Sequence, residues 1–97
     1  MDQNELLRLM AEILERLQIR YIVTGSMASM TYAEPRFTND IDVVVDLAAN
    51  RIDDIMRAFP APEYYVNRQA VEEANRGRRQ FNIVLPSADL KIDMIVA

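Results

Sequence analysis

Two carboxylates, Asp40 and Asp42, stand one residue apart in the apolar run Asp40-Ile41-Asp42-Val43-Val44-Val45. A third acid, Asp93, interrupts a second such run, Leu90-Lys91-Ile92-Asp93-Met94-Ile95-Val96. In a strand, residues i and i+2 share a face, so Asp40 and Asp42 point one way and Ile41, Val43 and Val45 the other. Like charges at that spacing repel, and a fold gains little from them unless a cation lies between. Three carboxylates of this kind suit two cations that carry phosphate oxygens, the machinery of metal-dependent phosphoryl transfer. Structural alternatives stand beside this reading. Asp40 and Asp42 can belong to an ion-pair network, and Lys91, on the same face as Asp93, can neutralise it. Asp46 shares the parity of Asp40 and Asp42 but falls at the strand end, where it reads as a cap for a helix starting near Ala48.

Gly25-Ser26 follows the apolar segment Tyr21-Ile22-Val23-Thr24 at a strand-to-helix turn. Glycine lets the backbone approach a ligand closely. The N–H groups at a helix start suit a phosphate, although a Gly-Ser pair also serves as a plain capping turn. Arg36, four residues before Asp40, reads as a bidentate phosphate clamp, a solvated loop residue, or a partner of Glu34. Arg76, Arg78 and Arg79 form the one basic cluster, read as a solvated helix end or an acceptor-binding patch.

Composition narrows the chemistry further. The 97 residues suffice for one small domain, with 51% hydrophobic and 27% charged residues. With no cysteine, the chain has no thiol nucleophile or zinc-thiolate site, and with no histidine it lacks the commonest general base. Acid–base work falls to carboxylates, Lys, Tyr or water, and a metal must accept oxygen ligands, which favours Mg²⁺, Mn²⁺ or Ca²⁺. The net charge of −4 argues against broad non-specific nucleic-acid binding. No apolar stretch matches a membrane span, and the acidic start Met1-Asp2-Gln3-Asn4-Glu5 is unlike a signal peptide, so a cytoplasmic location is expected.

The periodicity predicts a helix over 4–17, capped by Asp2 or Asn4, with Leu6, Leu7, Met10, Ile13, Leu14 and Leu17 on its inner face. A strand is expected at 20–24, a short helix from Ser26 to Tyr32, and a strand at 40–46. Helices are expected from Ala48 to Phe59 and from Gln69 to Asn75, the second ended by Gly77. Tyr64-Tyr65-Val66 reads as an edge strand. Residues 80–85 and 90–96 read as strands joined by the turn Pro86-Ser87-Ala88-Asp89. This order points to one α/β (α+β) domain over residues 1–97, a mixed sheet with helices packed on it. The strongly apolar last strand is expected at an exposed sheet edge, covered by a second copy or a partner protein.

The stretch from Tyr21 to Val45, with Gly25-Ser26, the spacer Met27–Asn39 and Asp40-Ile41-Asp42-Val43, resembles the signature of the DNA polymerase beta-like nucleotidyltransferase superfamily. The segment Pro35-Arg36-Phe37-Thr38-Asn39-Asp40-Ile41-Asp42 looks most like the bacterial and archaeal branch with AbiEii-type enzymes of toxin–antitoxin systems. Asp93 sits where the third family carboxylate is expected. The resemblance implies a nucleotidyltransferase fold, a strongly twisted mixed sheet flanked by helices. It implies Gly25 and Ser26 on the β- and γ-phosphates of an NTP and two Mg²⁺ or Mn²⁺ ions on Asp40, Asp42 and Asp93. Asp93 would also activate the hydroxyl of an RNA, protein or small-molecule acceptor. Larger members continue into a helical domain after the third carboxylate, whereas this chain ends four residues past Asp93. A partner-dependent, non-catalytic toxin–antitoxin-type module on the same fold is therefore the alternative expectation.

Overall fold

The computed structural model describes residues 2–24 and 40–97, with Asp40 described for its backbone alone. The predicted helix of residues 26–32 lies outside the described residues.

Helix α1 spans Gln3–Arg16. Asp2 caps it: its carboxylate accepts from Glu5 N at 2.8 Å, and the Glu5 side chain reaches back to the Asp2 N–H, a reciprocal pair that satisfies two helix-end donors. Leu6, Met10, Ile13 and Leu14 are buried on one face, as their spacing dictates. Strand β1 is Tyr21–Thr24 and β2 is Asp40–Val45. A 3-10 turn, Ala49–Arg51, leads into α2, Ile52–Ala58, and α3 follows at Arg68–Gly77. Asn67 caps α3 by accepting from Ala70 N at 3.1 Å. Strands β3, Gln80–Leu85, and β4, Leu90–Val96, complete the order.

The strand order is β1-β2-β4-β3. The β2–β4 pair is parallel and the two outer pairs are antiparallel, which makes the four-stranded sheet mixed. Alternation divides its residues between two faces. Ile41, Val43 and Val45 of β2, Phe81, Ile83 and Leu85 of β3, and Ile92, Met94 and Val96 of β4 are buried. They form one core with the buried residues of α1, α2 and α3, so these three helices cover one face of the sheet. The other face carries Ile22, Thr24, Asp42, Val44, Asn82, Lys91, Asp93 and Ile95, and none of the helices among the described residues packs on it. No helix among the described residues is long and apolar enough to cross a membrane.

Several expectations are corrected. Strand β4 is not an edge: it lies between β2 and β3, so the edges are β1 and β3. Its nearly continuous apolar run is the mark of a strand with neighbours on both sides. Asp46 caps no helix. The chain stays extended through Ala48, which precedes the 3-10 turn without a side-chain cap, and exposed Asp46 instead lies 3.8 Å from Arg20. The predicted Ala48–Phe59 helix is therefore a 3-10 turn followed by seven α-helical residues. Tyr64-Tyr65-Val66 contributes one bridge, Tyr65 to Val84, rather than a strand. At the end of α3 the left-handed residue is Arg78, φ 55°, not Gly77.

Candidate active site

The register of the two central strands decides which acids meet. Asp42 stands directly opposite Asp93 in the parallel β2–β4 pair, and Asp40 stands opposite Lys91. Asp42 is half-buried, and the side chain of Asp93 is only 13% exposed. Two carboxylates thus face each other across adjacent strands near the middle of the sheet, on the face opposite α1, α2 and α3. Strand spacing sets such neighbours about 5 Å apart, where like charges are destabilising unless something compensates.

Lys91 supplies part of that compensation. Its ammonium lies 3.8 Å from Asp93 Oδ1, as the salt-bridge alternative anticipated. Asp42 has its own neighbour on the other side. Thr24, the last residue of β1, pairs with it in the antiparallel register, and the Thr24 hydroxyl donates to the Asp42 carbonyl at 3.4 Å. Gly25 and Ser26 follow Thr24 directly in the chain. Gly25, Ser26, Arg36 and the side chain of Asp40 lie outside the described residues.

On the opposite flank of Asp93, Asn82 of β3 pairs with it, and Asn82 is exposed. The row Thr24–Asp42–Asp93–Asn82 therefore crosses all four strands with polar side chains on one face. Asn82 was missed in the sequence, although a hairpin turning at residues 86–89 already pairs it with Asp93. A neighbouring row runs Asp40–Lys91–Val84–Tyr65, ending on a tyrosine that is 61% exposed.

The donor set suits a hard divalent cation. It consists of carboxylate oxygens, with a hydroxyl and an amide nearby, and without nitrogen or sulfur ligands. Among the described residues no group of three acids converges to hold a metal; Asp42 and Asp93 are the pair the register brings together. A groove of about 670 Å³ lies elsewhere, at the opposite end of the sheet, lined by Ile19, Tyr21, Ile22, Val44 and Ala97 among others. Its walls are mainly apolar, so it lacks the polar convergence of the acid pair. The basic cluster at the end of α3 is also distant in register: Arg79 O accepts from Val96 N, three residues along β4 from Asp93.

Neither the protein-family models nor the curated proteins compared with the chain match it.

Proposed function

We propose that the protein is a metal-dependent nucleotidyltransferase that moves a nucleoside monophosphate from an NTP to a hydroxyl acceptor. The observation that carries this reading is the direct opposition of Asp42 and Asp93 on the two central strands, with Asp40 two residues before Asp42. An opposed acid pair, one member nearly buried, opposes folding unless cation binding repays it. Asp40, Asp42 and Asp93 would hold Mg²⁺ or Mn²⁺, which when bound neutralises phosphate charge and fixes the triphosphate. Gly25 and Ser26, which follow the residue opposite Asp42, and Arg36 would bind the phosphates.

Asp93 is assigned the acceptor. Its carboxylate takes the proton of the hydroxyl as that oxygen forms a bond to the α-phosphorus. The bond from the α-phosphorus to the bridging oxygen breaks, and pyrophosphate leaves with the electron pair. The chain has no histidine or cysteine to take that role. Lys91 lies beside Asp93, with its ammonium 3.8 Å from Asp93 Oδ1. The test is Mg²⁺-dependent incorporation from NTPs labelled at the α-phosphate, with bacterial lysate as acceptor source. Transfer of label that Asp42→Asn abolishes is the expected result. No labelling with any of the common NTPs overturns the reading.

A further inference from the structure

We infer that the chain pairs with a second copy of itself along the outer edge of β1, in an antiparallel register that sets Arg20 of each copy in the polar row of the other. Strand β1 has β2 on one side and no strand on the other among the described residues. The phase of its ladder decides which backbone groups face outward. One step beyond the Tyr21–Val45 pair, Asp46 N donates to Arg20 O at 2.9 Å, so Arg20 and Asp46 are a hydrogen-bonded pair. Such pairs alternate along an antiparallel ladder. Ile22 and Thr24 therefore also turn their N–H and C=O groups toward β2, and Tyr21 and Val23 turn theirs to the open edge. The side chains divide the other way. Tyr21 and Val23 pack against the core, while Ile22, 67% exposed, lies on the face that carries the acids. An edge strand with outward backbone groups and an exposed isoleucine invites another strand.

The strand is complementary to itself. A twofold axis through Ile22, perpendicular to the sheet, sets Tyr21 opposite Val23 of the second copy. These are the residues whose backbone groups face outward, so each such pair exchanges both of its hydrogen bonds. Ile22 then meets its own counterpart in the non-hydrogen-bonded position, at about 4.5 Å between Cα atoms. The same register sets Arg20 opposite Thr24 of the second copy, and Thr24 stands opposite Asp42 within that copy. The row Thr24–Asp42–Asp93–Asn82 is thus continued by an arginine from the neighbouring copy. Two strand spacings separate Arg20 from that Asp42, about 10 Å between Cα atoms, a span that extended arginine and aspartate side chains bridge. The Arg20 side chain is 90% exposed, and its 3.8 Å contact with Asp46 in its own copy is an exposed pair of little strength. Charge selects the occupant. The acids of the row meet a cation, in a chain whose net charge is −4, and the twofold supplies that cation to both rows at once. A strand from any other protein would have to bring its own cation in the same register.

The chain has no cysteine, so a single introduced thiol reports on one position. Under oxidation Ile22→Cys should cross-link as a dimer, because the twofold sets the two Cα atoms within disulfide range. Arg20→Cys alone should stay uncrosslinked, and a mixture of Arg20→Cys with Thr24→Cys should cross-link. Sedimentation equilibrium of the wild type should show a reversible dimer. Ile22→Lys alters an exposed side chain and should give a monomer with an unchanged circular dichroism spectrum, since two ammonium groups would meet at the axis. Arg20→Ala, which removes an exposed contact at each of two related places, should weaken the dimer about three- to tenfold and reduce its salt dependence. A wild type that stays monomeric at every concentration overturns the inference, and so does a dimer that survives Ile22→Lys. Cross-linking of Arg20→Cys with itself, in place of Thr24→Cys, overturns the register. These measurements use neither nucleotide nor metal, so an intact dimer without label transfer overturns the proposed activity alone.

Discussion

Replacing Asp42 by asparagine should raise stability without metal and remove stabilisation by metal. Asp42 and Asp93 are directly opposed across β2 and β4. At about 5 Å, two full charges repel by roughly 1–3 kcal/mol for effective dielectrics between water and a protein surface. Lys91 lies 3.8 Å from Asp93 Oδ1 and cancels part of this. The net repulsion relieved by Asp42→Asn is then about 1 kcal/mol. For a chain of this size that is a rise in Tm of about 4–8 °C. In the wild type, Mg²⁺ at tenfold excess over Kd should stabilise by about 1.4 kcal/mol, a rise of similar size, through binding to the folded state alone. Asparagine is nearly isosteric, so packing is held constant and charge alone changes. The assay is thermal unfolding followed by circular dichroism, with and without Mg²⁺ or Mn²⁺. A metal-free Tm that falls in Asp42→Asn would show that the carboxylate is a structural partner. A metal shift that survives the substitution would show that the cation binds elsewhere.

Asp93→Ala should weaken NTP·Mg²⁺ binding by calorimetry and abolish label transfer, because Asp93 is assigned both to the cation and to the acceptor proton; wild-type transfer would make it a partner of Lys91 only. Arg51→Ala should cost about 1–2 kcal/mol in denaturant unfolding, because Arg51 bonds Asp54 at 2.6 Å and the Leu17 carbonyl at 2.5 Å and so ties the start of α2 to the end of α1. Met94→Ala should cost about 2–5 kcal/mol by the same measurement, since Met94 is fully buried at the centre of the sheet. Arg68, which donates to Asp53, holds that carboxyl below its ordinary value near 3.8. The depressed value means the contribution is present above the ordinary value and is lost as pH falls through the folded one. Asp53→Asn should therefore lower Tm slightly at neutral pH and weaken the dependence of Tm on pH below about pH 4.

The hairpin was the most legible part of the chain. Phe81, Ile83 and Leu85 alternate, Pro86 stops the strand, and Leu90, Ile92, Met94 and Val96 resume the alternation; β3 and β4 have the predicted bounds. Helix α1 was equally clear, since its apolar spacing and Asp2–Glu5 box act within a few residues. Strand order was not legible by the same means. Periodicity reports which face a residue takes, and it says nothing of which strand lies beside it. The apolar odd member Ile95 in β4 was the available clue to a central position. Asp46 failed as a cap because Leu47 is drawn into the core, which keeps the backbone extended before the 3-10 turn. Asp40, Asp42 and Asp93 stood out because charges inside apolar strands are costly.

What alternation alone could not supply was the pairing. Asp42 and Asp93 are 51 residues apart in the numbering, and only the parallel register sets one opposite the other. That register follows from packing. Ile41, Val43 and Val45 must face the same core as Ile92, Met94 and Val96, and a one-residue slip would turn either set to the other side. The buried set therefore holds the acids together on the opposite face, at a distance their own charges disfavour. A slip by two residues would preserve the core pattern and separate the carboxylates, and nothing in their mutual repulsion resists it. What resists it is the length of the register itself: six pairs run from Asp40–Lys91 to Val45–Val96 and close with Ala97 N donating to the Val45 carbonyl at 2.9 Å, while Pro86 and the turn to Leu90 lock β4 to β3. The acid pair is thus positioned by apolar side chains and a turn that touch no substrate.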